Sequence, residues 1–218
     1  MLFKKTVLDF DNLNIPALSL SNEATSLALI IHGYGGNKEE IFGLSSYLAS
    51  INIDSLTIDL RGHGENTNYY TIDVLNDINK IIDRFKSKKK MIAIGHSLGG
   101  RLALISDAEI KIGISPAICK EYSDQTKTII KNFRSYRVKE NRGDINFDIL
   151  SDLKTVNESI ESSLIVFGSR DVPEIQKACA ELKGNGISIR KIENAMHNDI
   201  YTLNETFHVI GDFITNLS

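Results

Sequence analysis

The chain has 218 residues, of which 42% are hydrophobic, and a formal net charge of −3. This length suits one domain with a substantial core, and the mild acidity gives no reason to expect a nucleic-acid partner. No apolar run approaches the roughly 20 residues that a membrane-spanning helix needs.

The first half of the chain alternates short apolar runs with helical patterns. The spacing predicts, in chain order, strands at 3–10, 13–20 and 27–31, a helix from a cap at Asn37 to about Ser50, a strand at 53–60, a helix over about 71–88, a strand at 91–94 and a helix over 98–106. The first two strands flank a turn signal at Asp11-Asn12.

The second half continues the alternation after one interruption. It predicts a strand at 110–114, an interruption at 118–155, a strand at 163–167, a helix from Val172 to about Leu182, a strand at 187–192 and a final helix from Asp199. Segment 118–155, called the cap segment below, is polar, with apolar pairs at helical spacing and a turn at Gly143-Asp144.

This order of elements predicts an α/β fold. Strands that alternate with helices indicate a mostly parallel central sheet of about eight strands with helices on both faces, and the first two strands form an antiparallel edge. We expect a single domain over residues 1–218, with the cap segment as a short helical insertion.

Two observations concern the compartment. The N-terminus lacks the layout of a secretory signal peptide, so we expect a cytoplasmic protein. Cys119 and Cys179 show no metal-ligand spacing and are expected to be reduced thiols packed as small hydrophobic side chains.

Residues 95–100 read GHSLGG and lie between a predicted strand and a predicted helix. Gly95, Ser97 and Gly99 fit the G-x-S-x-G pattern of a nucleophile elbow, in which a strained serine needs small residues two positions before and after it. The turn lifts the hydroxyl above the sheet and aims the first helical N–H groups at the space above it. A glycine-rich turn with an incidental serine is the alternative, and the strand–turn–helix context favours the elbow.

A serine hydroxyl needs a base within hydrogen-bond reach and a third group that orients the base. In an open parallel sheet such groups come from the carboxyl ends of strands. Asp171 lies in that position and is the candidate acid, although it also suits a helix N-cap ahead of Pro173. Glu174 is a weaker substitute inside the helix, and Asp144 and Asp148 belong to the cap segment.

The candidate base is His197, in the loop between the last strand and the last helix. A lone histidine is usually structural, but the order Ser97, Asp171, His197 matches the Ser…Asp/Glu…His order of one hydrolase architecture. The other histidines precede the serine, adjoin it or lie within a helix: His32, His63, His96 and His208.

Backbone N–H groups are the expected oxyanion donors. One is that of Leu98, directly after the serine, and the second comes from the loop after an earlier strand. HGYGG at 32–36 occupies that place, so the N–H of Tyr34 is the candidate. The Tyr34 side chain is also a candidate wall of the substrate pocket.

These motifs together resemble the α/β-hydrolase superfamily, and in particular its monoglyceride-lipase-like and serine-aminopeptidase-like branch. The resemblance rests on HGYGG at 32–36, DLRGHGEN at 59–66, GHSLGG at 95–100, G-x-x-D at 168–171 and the late His197. It implies the α/β-hydrolase fold. It also implies that Asp59, Arg61 and His63 form a structural turn.

The resemblance further implies acyl transfer without a metal or cofactor. Ser97 attacks a carbonyl while His197 takes its proton, Asp171 holds the histidine, and the N–H groups of Tyr34 and Leu98 stabilise the oxyanion. Water activated by His197 then frees the acid. The cap segment is smaller than in many relatives, which predicts an open pocket for short or polar substrates.

Residues 118–142 carry a local charge of +4, because they hold seven basic and three acidic side chains. The basic ones are Lys120, Lys127, Lys131, Arg134, Arg137, Lys139 and Arg142. They either steer an anionic substrate towards the site or form a solvated helical face. Phe133 and Tyr136 either bind substrate in the pocket or anchor the cap segment.

The sequence thus predicts a serine hydrolase of small carboxylic esters that binds a small-molecule acyl substrate. The same machinery also serves thioesters, lysophospholipids or short peptides, and a non-catalytic binding module of the same fold is a third possibility. The oligomeric state and the natural substrate stay open.

Overall fold

The computed structural model describes residues 1–10, 13–119, 121–139, 145–156, 162–182 and 186–217. Its strands are β1 (Leu2–Phe10), β2 (Leu13–Ser21), β3 (Ser26–Ile31), β4 (Asp54–Ile58), β5 (Lys90–His96), β6 (Ile110–Ile114), β7 (Ser163–Arg170) and β8 (Ser188–Met196). Its α-helices are α1 (Gly43–Ser50), α2 (Val74–Phe85), α3 (Leu98–Ile105), α4 (Asp124–Phe133), α5 (Ile145–Asp152), α6 (Pro173–Glu181) and α7 (Asn204–Thr215). Short 3₁₀ turns occur at Ser135–Arg137 and Ile200–Thr202.

All eight strands form one sheet in the order β1-β2-β4-β3-β5-β6-β7-β8. The hairpin of β1 and β2 is antiparallel, as is the pairing of β2 with β4, and every other pairing is parallel. The predicted mostly parallel sheet with an antiparallel edge is therefore confirmed.

Helices cover both faces of the sheet, so the central strands are buried on both sides. Leu29 of β3 enters the core on one face together with Ile78 of α2. The next residue, Ile30, enters the core on the other face with Leu44 of α1 and Ile210 of α7. This double burial explains why the central strands read as continuous apolar runs rather than as alternating ones.

The helix predicted from Asn37 begins six residues later, at Gly43. Asn37 caps a turn instead, since its Oδ1 accepts the N–H groups of Glu39 and Glu40 at 3.1 and 3.0 Å. Lys38 is anchored in this turn, because its backbone N and Nζ both donate to buried Asp59 at 2.8 Å.

The predicted turns at Asp11-Asn12 and Gly143-Asp144 lie outside the described residues. Within the cap segment, α4, a 3₁₀ turn and α5 separate β6 from β7. Cys119 and Cys179 are free and buried, as predicted.

Among the helices in the described ranges, none combines the length and the apolar character needed to cross a membrane.

Candidate active site

Ser97 lies at the tight turn between β5 and α3, with φ 55° and ψ −115°. This backbone conformation costs roughly 1–3 kcal/mol and persists only where the surroundings impose it. Here the N–H of Ser97 donates to the carbonyl of Ile114 at 2.9 Å, and its own carbonyl accepts the N–H groups of Arg101 and Ala117 at 3.0 and 2.9 Å. The elbow is thus held from both β6 and α3.

The glycines on either side of Ser97 allow this turn to fit. A Cβ at Gly95 would overlap the carbonyl of Gly99, and a Cβ at Gly99 would overlap the carbonyl of Ile31 at the end of β3. Neither position has room for a side chain, because backbone lies in the way. The small residues of the sequence pattern are therefore a packing requirement in this molecule.

The structure brings the three predicted catalytic side chains together. His197 Nε2 lies 3.2 Å from Ser97 Oγ, and its Nδ1 lies 2.9 Å from Asp171 Oδ1. Asp171 and His197 directly follow β7 and β8, which are neighbours in the sheet. With Nδ1–H donated to the carboxylate, Nε2 is free to accept the proton of the serine hydroxyl.

Asp171 is buried and surrounded by donors. Its Oδ1 accepts the N–H of Val172 at 2.7 Å, and its Oδ2 accepts the hydroxyl of Ser115 and the N–H of Gly168 at 3.4 Å. Burial alone would raise the pKa of this carboxyl, but the hydrogen bonds from His197, Ser115 and Val172 outweigh it and lower the pKa. A carboxylate that stays ionised suits the role of orienting an imidazole.

The alternative interpretations of the acid fit the structure less well. Helix α6 begins at Pro173, and its N-cap residue is Val172 rather than Asp171. The Glu174 carboxylate instead accepts hydrogen bonds from Ser123 N and Thr126 Oγ1 at the start of α4, both at 3.0 Å.

Sequence reasoning missed two residues that support this constellation. Ser115, at φ 45°, holds Asp171, and its position directly after β6 is the strand-end signal that could have identified it. His96 Nε2 donates to the carbonyl of His197 at 2.8 Å, and its ring packs 4.5 Å from that of Tyr201. Burial lowers the pKa of His96 well below its usual value, so this imidazole is neutral.

The loop after β3 lies against the elbow. A Cβ at Gly33 would come within 3.2 Å of Ser97 Cβ, and the carbonyl of Gly33 accepts the N–H of Gly36 at 3.0 Å. Tyr34 follows Gly33 in this loop, while Leu98 is the first residue of α3. The two predicted oxyanion donors therefore lie on backbone segments that meet at Ser97.

The Tyr34 side chain is buried and lies on the wall of the cavity above Ser97. Its ring packs 5.6 Å from those of His63 and Tyr70. Burial raises the pKa of its phenol to about 12, so the ring is neutral at physiological pH.

The DLRGHG stretch forms a turn held by its own ion pairs. Buried Asp59 accepts Lys38 Nζ at 2.8 Å, and Arg61 donates two bonds to Asp77, at 2.7 and 2.9 Å. His63 Nδ1 lies 2.9 Å from the carbonyl of Arg61. These contacts fit the structural role that the resemblance implies.

A cavity of about 480 Å³ opens above Ser97 and His197, within the usual range for small-molecule sites. Its lining includes the apolar residues Leu98, Ala117, Ile130, Leu150, Val172 and Ile175. The predicted substrate-binding residues Phe133 and Tyr136 also line it, and 68% and 66% of their surface stays exposed.

Only some of the basic side chains of the cap segment lie at the cavity. Arg134 and Arg137 line the cavity, whereas Lys127 is exposed on α4 and Lys139 Nζ donates to the carbonyl of Asn66 at 2.5 Å. Lys120 and Arg142 lie outside the described residues. Within the described ranges, no cluster of three or more His, Cys, Asp or Glu side chains is arranged to hold a metal ion.

Comparison with known proteins agrees with this architecture. A family model described as the alpha/beta hydrolase fold matches residues 29–106, the stretch from β3 to the end of α3. No curated protein matches the chain in sequence.

Solved structures resemble the chain over nearly its whole length. A carboxylesterase from the thaumarchaeon Nitrososphaera gargenis has a TM-score of 0.76 and 15% identity, with 97% of this chain and 98% of that chain covered. A soluble variant of monoglyceride lipase from Saccharomyces cerevisiae has a TM-score of 0.71 and 18% identity, with 100% and 95% covered. A monoacylglycerol lipase from Paleococcus ferrophilus has a TM-score of 0.72 and 16% identity, with 94% and 99% covered.

The chain therefore has the α/β-hydrolase fold. The resemblance to the α/β-hydrolase superfamily that its motifs indicate is confirmed, and monoglyceride lipases are among the structures that share the fold. At 15–18% identity these structures establish the fold alone.

Proposed function

We propose that the protein is a serine hydrolase that cleaves small carboxylic esters through an acyl-enzyme on Ser97. The observation that carries the proposal is the continuous hydrogen-bonded line from Ser97 Oγ through His197 to Asp171. A strained serine at an elbow, an imidazole acceptor and a buried carboxylate are the parts that nucleophilic acyl transfer needs.

In the first half-reaction, Ser97 Oγ attacks the ester carbonyl while His197 Nε2 takes the hydroxyl proton. The N–H groups of Tyr34 and Leu98 stabilise the oxyanion, and Asp171 stabilises the imidazolium. His197 then gives its proton to the leaving alcohol. In the second half-reaction, a water deprotonated by His197 attacks the acyl-enzyme and releases the acid.

The shape of the cavity supports a small substrate. Its apolar lining residues suit a short or medium acyl chain, and the exposed rings of Phe133 and Tyr136 also line it. We further propose that the chain is one domain, in which the cap segment roofs the site, and that it works in the cytoplasm, where Cys119 and Cys179 remain thiols.

The test is hydrolysis of p-nitrophenyl acetate, butyrate and octanoate by the wild type, Ser97→Ala and Asp171→Asn. We expect kcat to fall roughly 10⁴-fold or more without the nucleophile, and by a comparable factor when the aspartate no longer holds the histidine. Ser50→Ala, at an exposed serine at the end of α1, is the matched control and keeps wild-type activity.

The same experiment separates the alternative functions. Labelling of Ser97 by a fluorophosphonate without ester turnover would favour a thioester, lysophospholipid or peptide substrate for the same nucleophile. If Ser97 were not labelled and no ester were turned over, the result would contradict the proposal and favour a binding module.

A further inference from the structure

Arg134 directly follows α4 and lines the cavity above Ser97. Its backbone packs on the loop after β3, since a Cβ at Gly35 would come within 2.8 Å of the Arg134 carbonyl oxygen. Its Nη2 donates to Asn198 Oδ1 at 3.2 Å, and Asn198 directly follows His197. The backbone of Arg134 therefore lies against the proposed oxyanion loop, while its guanidinium is bound to the loop of the proposed base.

Arg137 lies one turn further and provides a contrast. Its Nη1 forms an ion pair with Glu40 at 3.0 Å, and its guanidinium stacks over Tyr136 at 5.6 Å. Within the described ranges, no carboxylate forms an ion pair with Arg134, and Asn198 is a neutral acceptor. A guanidinium carries five N–H donors, so Arg134 keeps donors available for a planar oxyanion.

The position of His197 decides which part of the substrate Arg134 faces. In acyl transfer the imidazole gives its proton to the leaving oxygen or sulfur, so the leaving group lies beside His197. Because Arg134 is hydrogen-bonded to Asn198, the next residue in that loop, we expect it to face the leaving group.

We propose that Arg134 binds an anionic group, such as a carboxylate, on the alcohol or thiol part of the substrate. The inference rests on the proposed hydrolase function and names its substrate class.

The test uses three chromogenic esters of similar size. These are p-nitrophenyl butyrate, which is neutral, 3-butyryloxy-4-nitrobenzoate, whose carboxylate is on the leaving group, and mono-p-nitrophenyl glutarate, whose carboxylate is on the acyl group. In Arg134→Gln, we expect kcat/KM for the anionic-phenol ester to fall about tenfold relative to the neutral ester, as for loss of a charge-assisted hydrogen bond. Arg134→Lys should keep part of the preference, because lysine keeps the positive charge but not the planar set of guanidinium N–H donors.

Lys127→Gln is the matched control, since it removes an equal charge from the exposed face of α4. We expect it to leave the preference unchanged. An unchanged preference in Arg134→Gln would overturn the inference. An equal loss in Lys127→Gln would also overturn it, because it would mean that the positive charge of α4 as a whole attracts anionic esters. A loss confined to the glutarate ester would overturn the assignment to the leaving group.

Failure of the inference and failure of the proposed function are distinguishable. Wild-type turnover of p-nitrophenyl butyrate that depends on Ser97, together with no selective effect of Arg134→Gln, would reject the inference alone. No Ser97-dependent turnover of any of the three esters would reject both.

Discussion

The orientation of His197 depends on residues outside the predicted triad of Ser97, Asp171 and His197. Ser115 donates its hydroxyl to Asp171 Oδ2, leaving Oδ1 to accept from His197 Nδ1 and the N–H of Val172. His96 holds the backbone carbonyl of His197 from the other side. The proposed base is thus fixed through its ring and through its backbone by two independent hydrogen bonds.

Removing the Ser115 hydroxyl should lower kcat by about tenfold and leave KM within about twofold, because a hydrogen bond to a charged group is worth roughly 1.5–3 kcal/mol. The measurement is steady-state hydrolysis of p-nitrophenyl butyrate by Ser115→Ala and Ser115→Gly. Since Ser115 has φ 45°, glycine relieves backbone strain that alanine keeps. If the hydroxyl matters, both variants lose activity; wild-type kcat in the glycine variant would contradict this role.

Among the elements, the sequence predicts the central strands better than the helix ends. The core strands are apolar runs whose pattern depends on their own residues, and β3, β5 and β6 were predicted within about two residues of their observed ends. The turn before α1 instead contains a contact between Lys38 and Asp59, which is 21 residues away in the chain. No local pattern reveals such a pair.

The same limit applies to the site. The elbow motif and the strand-end rule predict Ser97, Asp171 and His197, and the structure brings these three side chains together. The strand-end rule also marks Ser115, but its bond to Asp171 could not be predicted, because that bond requires β6 and β7 to be neighbours in the sheet. The contact between Arg134 and Asn198 could not be predicted either, because the sequence does not show where α4 packs.

Glu174 links two helices that border the cavity. It lies in the first turn of α6 and accepts hydrogen bonds from Ser123 N and Thr126 Oγ1 at the start of α4. Burial alone would raise the pKa of Glu174, but these bonds outweigh it and lower the pKa to about 2. A lowered carboxyl pKa stabilises the fold above the unfolded pKa near 4.5, and this contribution is lost as the pH falls towards 2.

Glu174→Ala should therefore lower the free energy of unfolding by about 1–3 kcal/mol at neutral pH, measured by urea denaturation. The loss relative to wild type should begin to shrink below pH 4.5, where the wild-type carboxylate starts to lose its own contribution. Glu181→Ala, at the exposed end of α6, is the matched control and should change stability by less than about 0.5 kcal/mol. Equal effects of the two variants would argue against the link between α4 and α6.

At the scale of the whole molecule, three buried imidazoles make stability depend on pH. Burial lowers the pKa of His32 to about 4 and that of His63 to about 3, and it lowers the pKa of His96 well below its usual value. Burial opposes the charged form of each ring. Within the described part of the chain, the buried Nε2 of His63 has no hydrogen-bond partner.

These shifts predict that the fold weakens in mild acid. The unfolded chain protonates its histidines near pH 6.5, whereas the folded protein keeps His32 neutral until about pH 4 and His63 until about pH 3, and the pKa of His96 also lies well below its usual value. The unfolded state therefore binds more protons below about pH 6.5. Stability therefore falls as the pH drops from about 6.5, with a slope approaching roughly 1.4 kcal/mol per pH unit for each histidine. Between about pH 7 and pH 5 the unfolded carboxyl groups are mostly ionised, so the histidines dominate.

Urea denaturation over that range measures the slope directly, and His63→Gln should reduce it by about one histidine's share, roughly 1.4 kcal/mol per pH unit near pH 5. The readout is the slope rather than the stability itself, because any substitution at a buried position also shifts the free energy at every pH. Cys179→Ala provides the comparison: it disturbs an equally buried position, but the thiol, whose pKa burial raises, does not titrate in this range. A slope that changes equally in both variants would mean that loss of packing rather than protonation of His63 sets the dependence. A slope that falls only in His63→Gln would assign part of the acid sensitivity of the whole fold to the ring that packs behind Tyr34.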